Sequence, residues 1–377
     1  MGESVFNCER VLTPAGVIGS SSVSSADGRI SAISPVDLSA GDWLPGDVIV
    51  PGFADIHDHG AVGVDVNLAD ADGLIEVGRF LASSGVAAWM PTLVPDTLET
   101  YERVVEAIDE VMGRQGDLPV AQVIGVHYEG VFANEAMCGA LRPQYFLPAE
   151  PGAAAKLPRL RRGLHLTTVA PEIDGGIELI SELAASGWTV AIGHTKATRD
   201  KLDAAFTAGA RHLTHFFNAM TGIHHRDLGV AGWGLAGDAT FDIIADGMHV
   251  DLKMLELAIR AKGCERVSLI SDSIAPTGSG DGDYRLWGET VSVRGKTTKN
   301  DRGSIAGSVI TVADAVETVC RCGFDPADAA RMAAFNPAEV VGAAGIGRLE
   351  IGSRTDLVGL DRNGKVVSIV VGGERIK

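Results

Sequence analysis

The chain has 377 residues, 46% hydrophobic and 21% charged, a balance that builds a sizeable core and excludes a disordered polypeptide. Its formal net charge of −17 speaks against nucleic acid or an anionic membrane as a standing partner. A small anionic substrate stays open, because a few local cations can overcome a distant negative field.

The five cysteines (Cys8, Cys138, Cys264, Cys320 and Cys322) are irregularly spaced and include no CxxC pair. Reduced thiols in the cytoplasm are expected, with neither a disulfide framework nor a thiolate zinc site. The opening MGESVFNCERVLTPAG has no basic start followed by an apolar stretch, so no signal peptide is predicted. No apolar run of about 18 residues predicts a membrane span.

Residues 1–50 hold short alternating segments broken by Gly, Ser and Pro, among them SVFNCERVLT, AGVIGSSSV, RISAIS and DVIV. That texture predicts a small β-sheet, and it returns in GRLEIGSRTDLVGLD and KVVSIVVGG near the other end. One small β-sandwich domain built from residues 1–50 and 343–377 is expected, around a larger domain of residues 51–342.

In the middle, short apolar runs end in Gly, Pro, Asp or His and are followed by helix-like segments. In chain order the runs are VIVPGFADIH, GVAAWMPTL, AQVIGVHYEG, GLHLTTVAPE, WTVAIGH, RHLTHF, FDIIADG and VSLISDS. Between them lie ADGLIEVGRFLASSG, DTLETYERVVEAIDEVMG, GGIELISELAASG, TRDKLDAAFTAG and LKMLELAIRAKG. This alternation predicts a parallel sheet, and eight units predict an α/β fold of the closed (β/α)8, TIM-like type. The alternative is an open doubly wound sheet, but no GxGxxG follows a strand to give it a ligand signal.

Most of the ten histidines fall at or just after the ends of these runs, the end of a barrel that carries chemistry. In Asp55-Ile56-His57-Asp58-His59, alternate residues share one strand face, so Asp55, His57 and His59 can point into the barrel. His57 and His59 are spaced as a metal pair. In His127-Tyr128-Glu129, the carboxylate of Glu129 is expected to be buried among apolar residues, which is costly unless a cation meets it. His194 and His215 follow later strands. With Glu129 they make a two-histidine, one-carboxylate set, as hydrolytic metal sites require. Asp272 ends the eighth run, where a carboxylate can shuttle a proton between water and a leaving group; capping a following helix is its other reading. His165 and His212 read as structural.

The motifs PGFADIHDHG, HYEG, TTVAPE, GHTKAT, THFFNAM, HHRD, ADGMHV, SDSIAPTG, GSIAGS and NPAE, in this order, resemble the N-acetylglucosamine-6-phosphate deacetylase family of the amidohydrolase superfamily. The resemblance runs from about residue 50 to the C-terminus. It implies a main metal site at Glu129, His194 and His215, a second metal at His57 and His59, and Asp272 as catalytic acid/base. It implies a divalent ion, Zn or Fe, with one or two per subunit. Asn218 and Ala219 match a loop that receives the sugar phosphate, and His249 matches a sugar-contacting histidine. Ile305 lies in a loop that closes over the substrate, and Arg226 matches a phosphate-binding arginine supplied by a neighbouring subunit, which implies a homodimer. The expected reaction converts N-acetylglucosamine 6-phosphate to glucosamine 6-phosphate and acetate, in amino-sugar catabolism.

Three departures stand near the expected substrate. Val131 follows Gly130 where the family has proline. Lys196 stands where many members have a small or acidic residue. The family histidine that polarises the acetyl carbonyl follows a Gly-Ala pair, and here the chain reads Gly139-Ala140-Leu141-Arg142. Ala140 and Leu141 are expected to line the substrate site, with Arg142 as a candidate substitute donor. A related substrate such as N-acetylgalactosamine 6-phosphate therefore stays open. So do a cyclic-amide hydrolase of the dihydroorotase type, which relies on a carboxylated lysine, and a non-catalytic binding protein.

Overall fold

The computed structural model describes residues 3–36, 41–116 and 118–377. Part of the N-terminal sheet segment expected over 1–50, residues 1–2 and 37–40, lies outside the described residues.

Eight parallel strands form the centre: Phe53–Asp58, Val86–Leu93, Gly125–Phe132, Leu164–Val169, Thr189–Ile192, His212–Leu213, Thr240–Ile244 and Val267–Ile270. Each pairs with the next in chain order. They are the eight runs read from the sequence, numbered one to eight below. Strands one, two and three are buried at every position. This is what strands covered by helices on one side and barrel interior on the other must be. The ring is nearly closed between strands eight and one. There Asp58 bridges Ser273 in parallel, and the Asp272 N–H donates to the His57 carbonyl at 2.9 Å. The open-sheet alternative is thereby excluded.

The helices fall where periodicity placed them: Ala71–Ser83, Leu98–Arg114, Gly176–Ala185, Arg199–Ala208 and Leu252–Lys262. Leu98–Arg114 shows the cause. It buries Tyr101, Val104, Val105, Ile108 and Val111, one apolar stripe at helical spacing, and the Thr97 side chain accepts from the Thr100 N–H to cap its start.

Both ends of the chain build two further sheets. One pairs Ser4–Cys8, Ser21–Ala26, Arg29–Pro35 and Asp42–Trp43. The other pairs Val11–Thr13, Gly16–Ile18 and Val48–Pro51 with Leu357–Leu360, Val366–Val371 and Glu374–Arg375. Phe6, Val11, Val23, Ile49, Leu357 and Val370 belong to an apolar cluster separate from the barrel core.

A three-stranded antiparallel sheet, Gly282–Leu286, Glu289–Arg294 and Thr297–Asn300, follows strand eight and was not foreseen. Its strands are short and polar on their open face, so they read as loop. No helix among the described residues is long and apolar enough to cross a membrane.

Candidate active site

The ends of strands one, three, five, six and eight converge on one buried cluster. His57 is the last residue but one of strand one and His59 follows that strand, while Glu129 sits inside strand three. His194, His215 and Asp272 each lie two residues beyond strands five, six and eight. These last three share an unusual backbone, with φ of 48°, 33° and 50°. A left-handed conformation at a residue with a side chain costs roughly 1–3 kcal/mol and persists only where surroundings over-determine it. Here they do. The His194 carbonyl accepts from the Asn134 N–H at 3.1 Å, and the His215 N–H donates to the Asp242 carboxylate. Asp272 is held on both sides, by His57 and by the Ser308 N–H at 2.7 Å.

Glu129 is the hub. Its Oε1 lies 3.1 Å from His194 Nε2 and 3.0 Å from His215 Nε2, and those two nitrogens are 3.0 Å apart. Its Oε2 lies 3.3 Å from His59 Nε2, which is 3.1 Å from His57 Nε2. Asp272 Oδ1 stands 3.2 Å from His59 Nε2 and 3.4 Å from His57 Nε2. All these groups are buried.

The outer hydrogen bonds of the rings show what the cluster can hold. His194 Nδ1 lies 2.9 Å from the Met137 carbonyl and His59 Nδ1 lies 3.0 Å from the Thr92 carbonyl. A carbonyl only accepts, so both rings donate from Nδ1 and aim Nε2 at Glu129, where it can bind a metal ion or, without one, carry a proton. A proton or a metal ion satisfies these contacts, and the unbound cluster draws protons: the hydrogen bonds from His59 to Asp272 and Glu129 outweigh burial and raise it well above its usual range. Burial alone would lower His215, yet its hydrogen bond to Glu129 and the surrounding carboxylates push it up to about 9. Burial would raise Glu129, but His57, His194 and His215 hold it well below the usual carboxylate range. Asp272 is likewise below its usual range, with the nearby His57 and His59 outweighing burial. Two donor groups, Glu129–His194–His215 and His57–His59–Glu129, could hold a metal ion. The spacing suits the task, since metal–nitrogen bonds of about 2.0–2.1 Å set tetrahedral ligand atoms roughly 3.3 Å apart.

A cavity of about 320 Å³ opens beside the cluster. Leu141, Asn218, Ala219, His249 and Ile305 line it, as do Ala140 and Asp272. The His249 Nδ1–H donates to Asp246 at 2.8 Å, which fixes the ring's orientation. Arg226 is exposed on the loop before the helix Gly229–Ala236, pairs with His225 at 2.6 Å, and does not reach this cavity within one chain.

Other expectations change. The Arg142 guanidinium donates to the Asp96 carboxylate at 2.6 Å and to the Pro95 carbonyl at 2.7 Å. It is therefore committed outside the cavity lining and does not replace the missing histidine. Asp55 is not among the donor groups that could hold a metal and accepts the His57 and Ser271 N–H groups, its pKa raised by burial to about 6. No helix follows Asp272, so capping is not its role. Lys196 is exposed and unsuited to bridging buried metals. His212 pairs with Asp242 at 2.9 Å, and His165 accepts the Leu160 N–H at 3.0 Å.

Two contributors escaped the sequence reading. Asp242, inside strand seven, holds both His212 and the backbone of His215; its inward place in FDIIADG was the available signal. Trp287 lines the cavity from the turn between Gly282–Leu286 and Glu289–Arg294, with φ of 53°, and nothing in the sequence pattern marked it.

A barrel with histidines and carboxylates gathered at its strand ends defines a hydrolase of the metal-assisted kind, and the amidohydrolase family model matches residues 48–376. The chain belongs to the amidohydrolase family. It is 35% identical to the N-acetylgalactosamine-6-phosphate deacetylase of Escherichia coli O157:H7, over 98% of each chain. It is 31% identical to the N-acetylglucosamine-6-phosphate deacetylase of Bacillus subtilis, over 96% of this chain and 94% of that one. A solved variant of the Mycobacterium smegmatis N-acetylglucosamine-6-phosphate deacetylase, in complex with N-acetyl-D-glucosamine 6-phosphate, superposes with a TM-score of 0.90 at 30% identity. That match covers 100% of this chain and 99% of the other. Within the family, the chain falls in the N-acetylglucosamine-6-phosphate deacetylase group, whose members it matches nearly end to end, and it is a hydrolytic enzyme.

Proposed function

We propose that the protein removes the acetyl group of N-acetylglucosamine 6-phosphate, releasing acetate and glucosamine 6-phosphate, as a cytoplasmic step of amino-sugar catabolism. The observation that carries this reading is Glu129 set between two imidazole pairs, with Asp272 on the open, cavity side. The names of the relatives supply the substrate class.

Glu129, His194 and His215 would hold a Zn²⁺ or Fe²⁺ ion, and His57 and His59 would share Glu129 with a second ion where two are bound. When bound, such an ion would lower the pKa of a water from near 16 to about 7 and polarise the amide carbonyl. Asp272, a carboxylate at neutral pH, takes a proton from the attacking water. It returns that proton to the sugar nitrogen as the carbon–nitrogen bond breaks, so that the amine leaves neutral. Asn218 and Ala219 receive the sugar phosphate, and His249, oriented by Asp246, donates or accepts at a sugar hydroxyl. Ile305 covers the substrate. Leu141 offers no hydrogen bond to the acetyl carbonyl.

Arg226 would serve the neighbouring site of a homodimer. Arg226→Ala is therefore expected to raise KM by about 10–100-fold with kcat little changed, the loss of one charge-assisted contact to phosphate. Initial-rate kinetics beside a solution mass measurement check this, and an active monomer contradicts it. The terminal sheets and residues 51–342 are proposed as separate domains.

The 35% identity to an N-acetylgalactosamine-6-phosphate deacetylase favours a second reading, the same chemistry on the 4-epimer. Side-by-side kcat/KM values for the two sugar phosphates decide between them. A higher value for N-acetylglucosamine 6-phosphate supports the first reading, and turnover of the other alone transfers the assignment to it.

A further inference from the structure

The sugar-side residues Asn218, Ala219 and His249 follow strands six and seven. Across the ring, the cavity wall beyond strands two and three is made of different material. Val94 follows strand two, and Leu141 lies in the loop after strand three. Leu141 packs so closely over Gly130, the neighbour of Glu129, that a Cβ there would meet Leu141 Cδ1 at 2.1 Å. Trp287 completes the wall with its ring edge-on to His59, centroids 5.6 Å apart. Its buried N–H is turned toward the Asp65 carboxyl without a hydrogen bond of ordinary length.

Two ion pairs hold these side chains together. Arg142 binds Asp96 at 2.6 Å and the Pro95 carbonyl at 2.7 Å, tying the Leu141 loop to the segment after Val94. Arg302 binds Glu289 at 2.9 Å and the Ala140 carbonyl at 2.9 Å, tying the Trp287 turn to the same loop. The Trp287 backbone is left-handed, the conformation least expected of a bulky residue unless its surroundings fix it.

We infer that Val94, Leu141 and Trp287 form the pocket for the acyl group of the substrate, and that Trp287 sets its length. The inference rests on the deacetylase reading. With the reacting carbonyl between Asp272 and Glu129 and the sugar toward Asn218 and His249, the acyl methyl points to the apolar wall opposite. The indole stands where a second acyl carbon would go. The wall also explains Leu141: an apolar side chain in this place packs the methyl instead of binding the carbonyl.

The test measures kcat/KM of the metal-loaded enzyme for the N-acetyl and N-propionyl forms of the same amino-sugar 6-phosphate. The parent prefers acetyl. Trp287→Ala raises the propionyl-to-acetyl ratio by at least about tenfold, the discrimination one methylene carries in an apolar pocket. Leu141→Ala, on the other side of the wall, moves the ratio the same way and covers the case of a Trp287 variant that does not fold. Trp287→Phe lies between. A ratio unchanged in both alanine variants, while the parent hydrolyses the acetyl substrate, overturns the pocket and leaves the deacetylase reading standing. A metal-loaded parent that hydrolyses neither substrate overturns both.

Discussion

Asp272→Asn protein is expected to fold, to hold its metal, and to release acetate about 10²–10⁴ times more slowly than the parent, the usual weight of a positioned proton carrier. The asparagine keeps the size of the side chain and can still meet His59 and His57, which lie 3.2 Å and 3.4 Å from Asp272 Oδ1. The backbone contacts that hold residue 272 in its left-handed turn, to His57 and Ser308, involve no side-chain atom and survive the change. What is lost is an acceptor for the water proton and a donor for the amine. The loss therefore falls on kcat with KM nearly constant, because the side chain is proposed to act in bond-making and not in binding. Single-turnover acetate release with metal content measured on the same sample checks it. A variant within a few-fold of the parent removes Asp272 from the proposed mechanism.

The second large effect belongs to Glu129. Glu129→Ala removes the one carboxylate that both candidate donor groups share. Bound metal, measured by elemental analysis after dialysis, is expected to fall from stoichiometric to near zero. Added metal stabilises the parent by about 4 kcal/mol at a thousandfold excess over Kd, and this increment should vanish in the variant. The metal-free parent adds a pH signature. His215 is raised to about 9 by Glu129, so its pairing contributes stability that is fully present below the unfolded value of about 6.5. That contribution fades as pH rises through about 9. Apo protein thus loses Tm between pH 6.5 and 9, whereas metal-loaded protein, whose imidazoles are unprotonated ligands, does not. Metal retained by Glu129→Ala at parental stoichiometry would count against the proposed donor set.

The strands were legible because each is buried on both faces and had to stop at a turn residue, so VAAWMPTL and GVHYEGVF stand out without any partner in view. The cluster was legible because residues two apart at a strand end share a face, which is how His57 and His59 come to touch. Sequence distance hides the rest. Arg142 looked like a free cation beside a missing histidine, and only the fold brings Asp96 to within 2.6 Å of it. Asp242 looked like one more strand residue until His212 and the His215 N–H arrived on its two oxygens. Trp287 was invisible for a different reason. It rides on a short antiparallel insertion whose strands alternate weakly, and its approach to His59 depends on one left-handed residue in a turn.

Metal-assisted deacetylation is tested most directly by acetate release from N-acetylglucosamine 6-phosphate by protein reconstituted with Zn²⁺ or Fe²⁺. A metal-assisted deacetylase gives one acetate and one free amine per substrate consumed, loses turnover on chelation, and recovers it when metal is returned. An amide left intact by protein with its metal bound, for this sugar phosphate and for its 4-epimer, would contradict it.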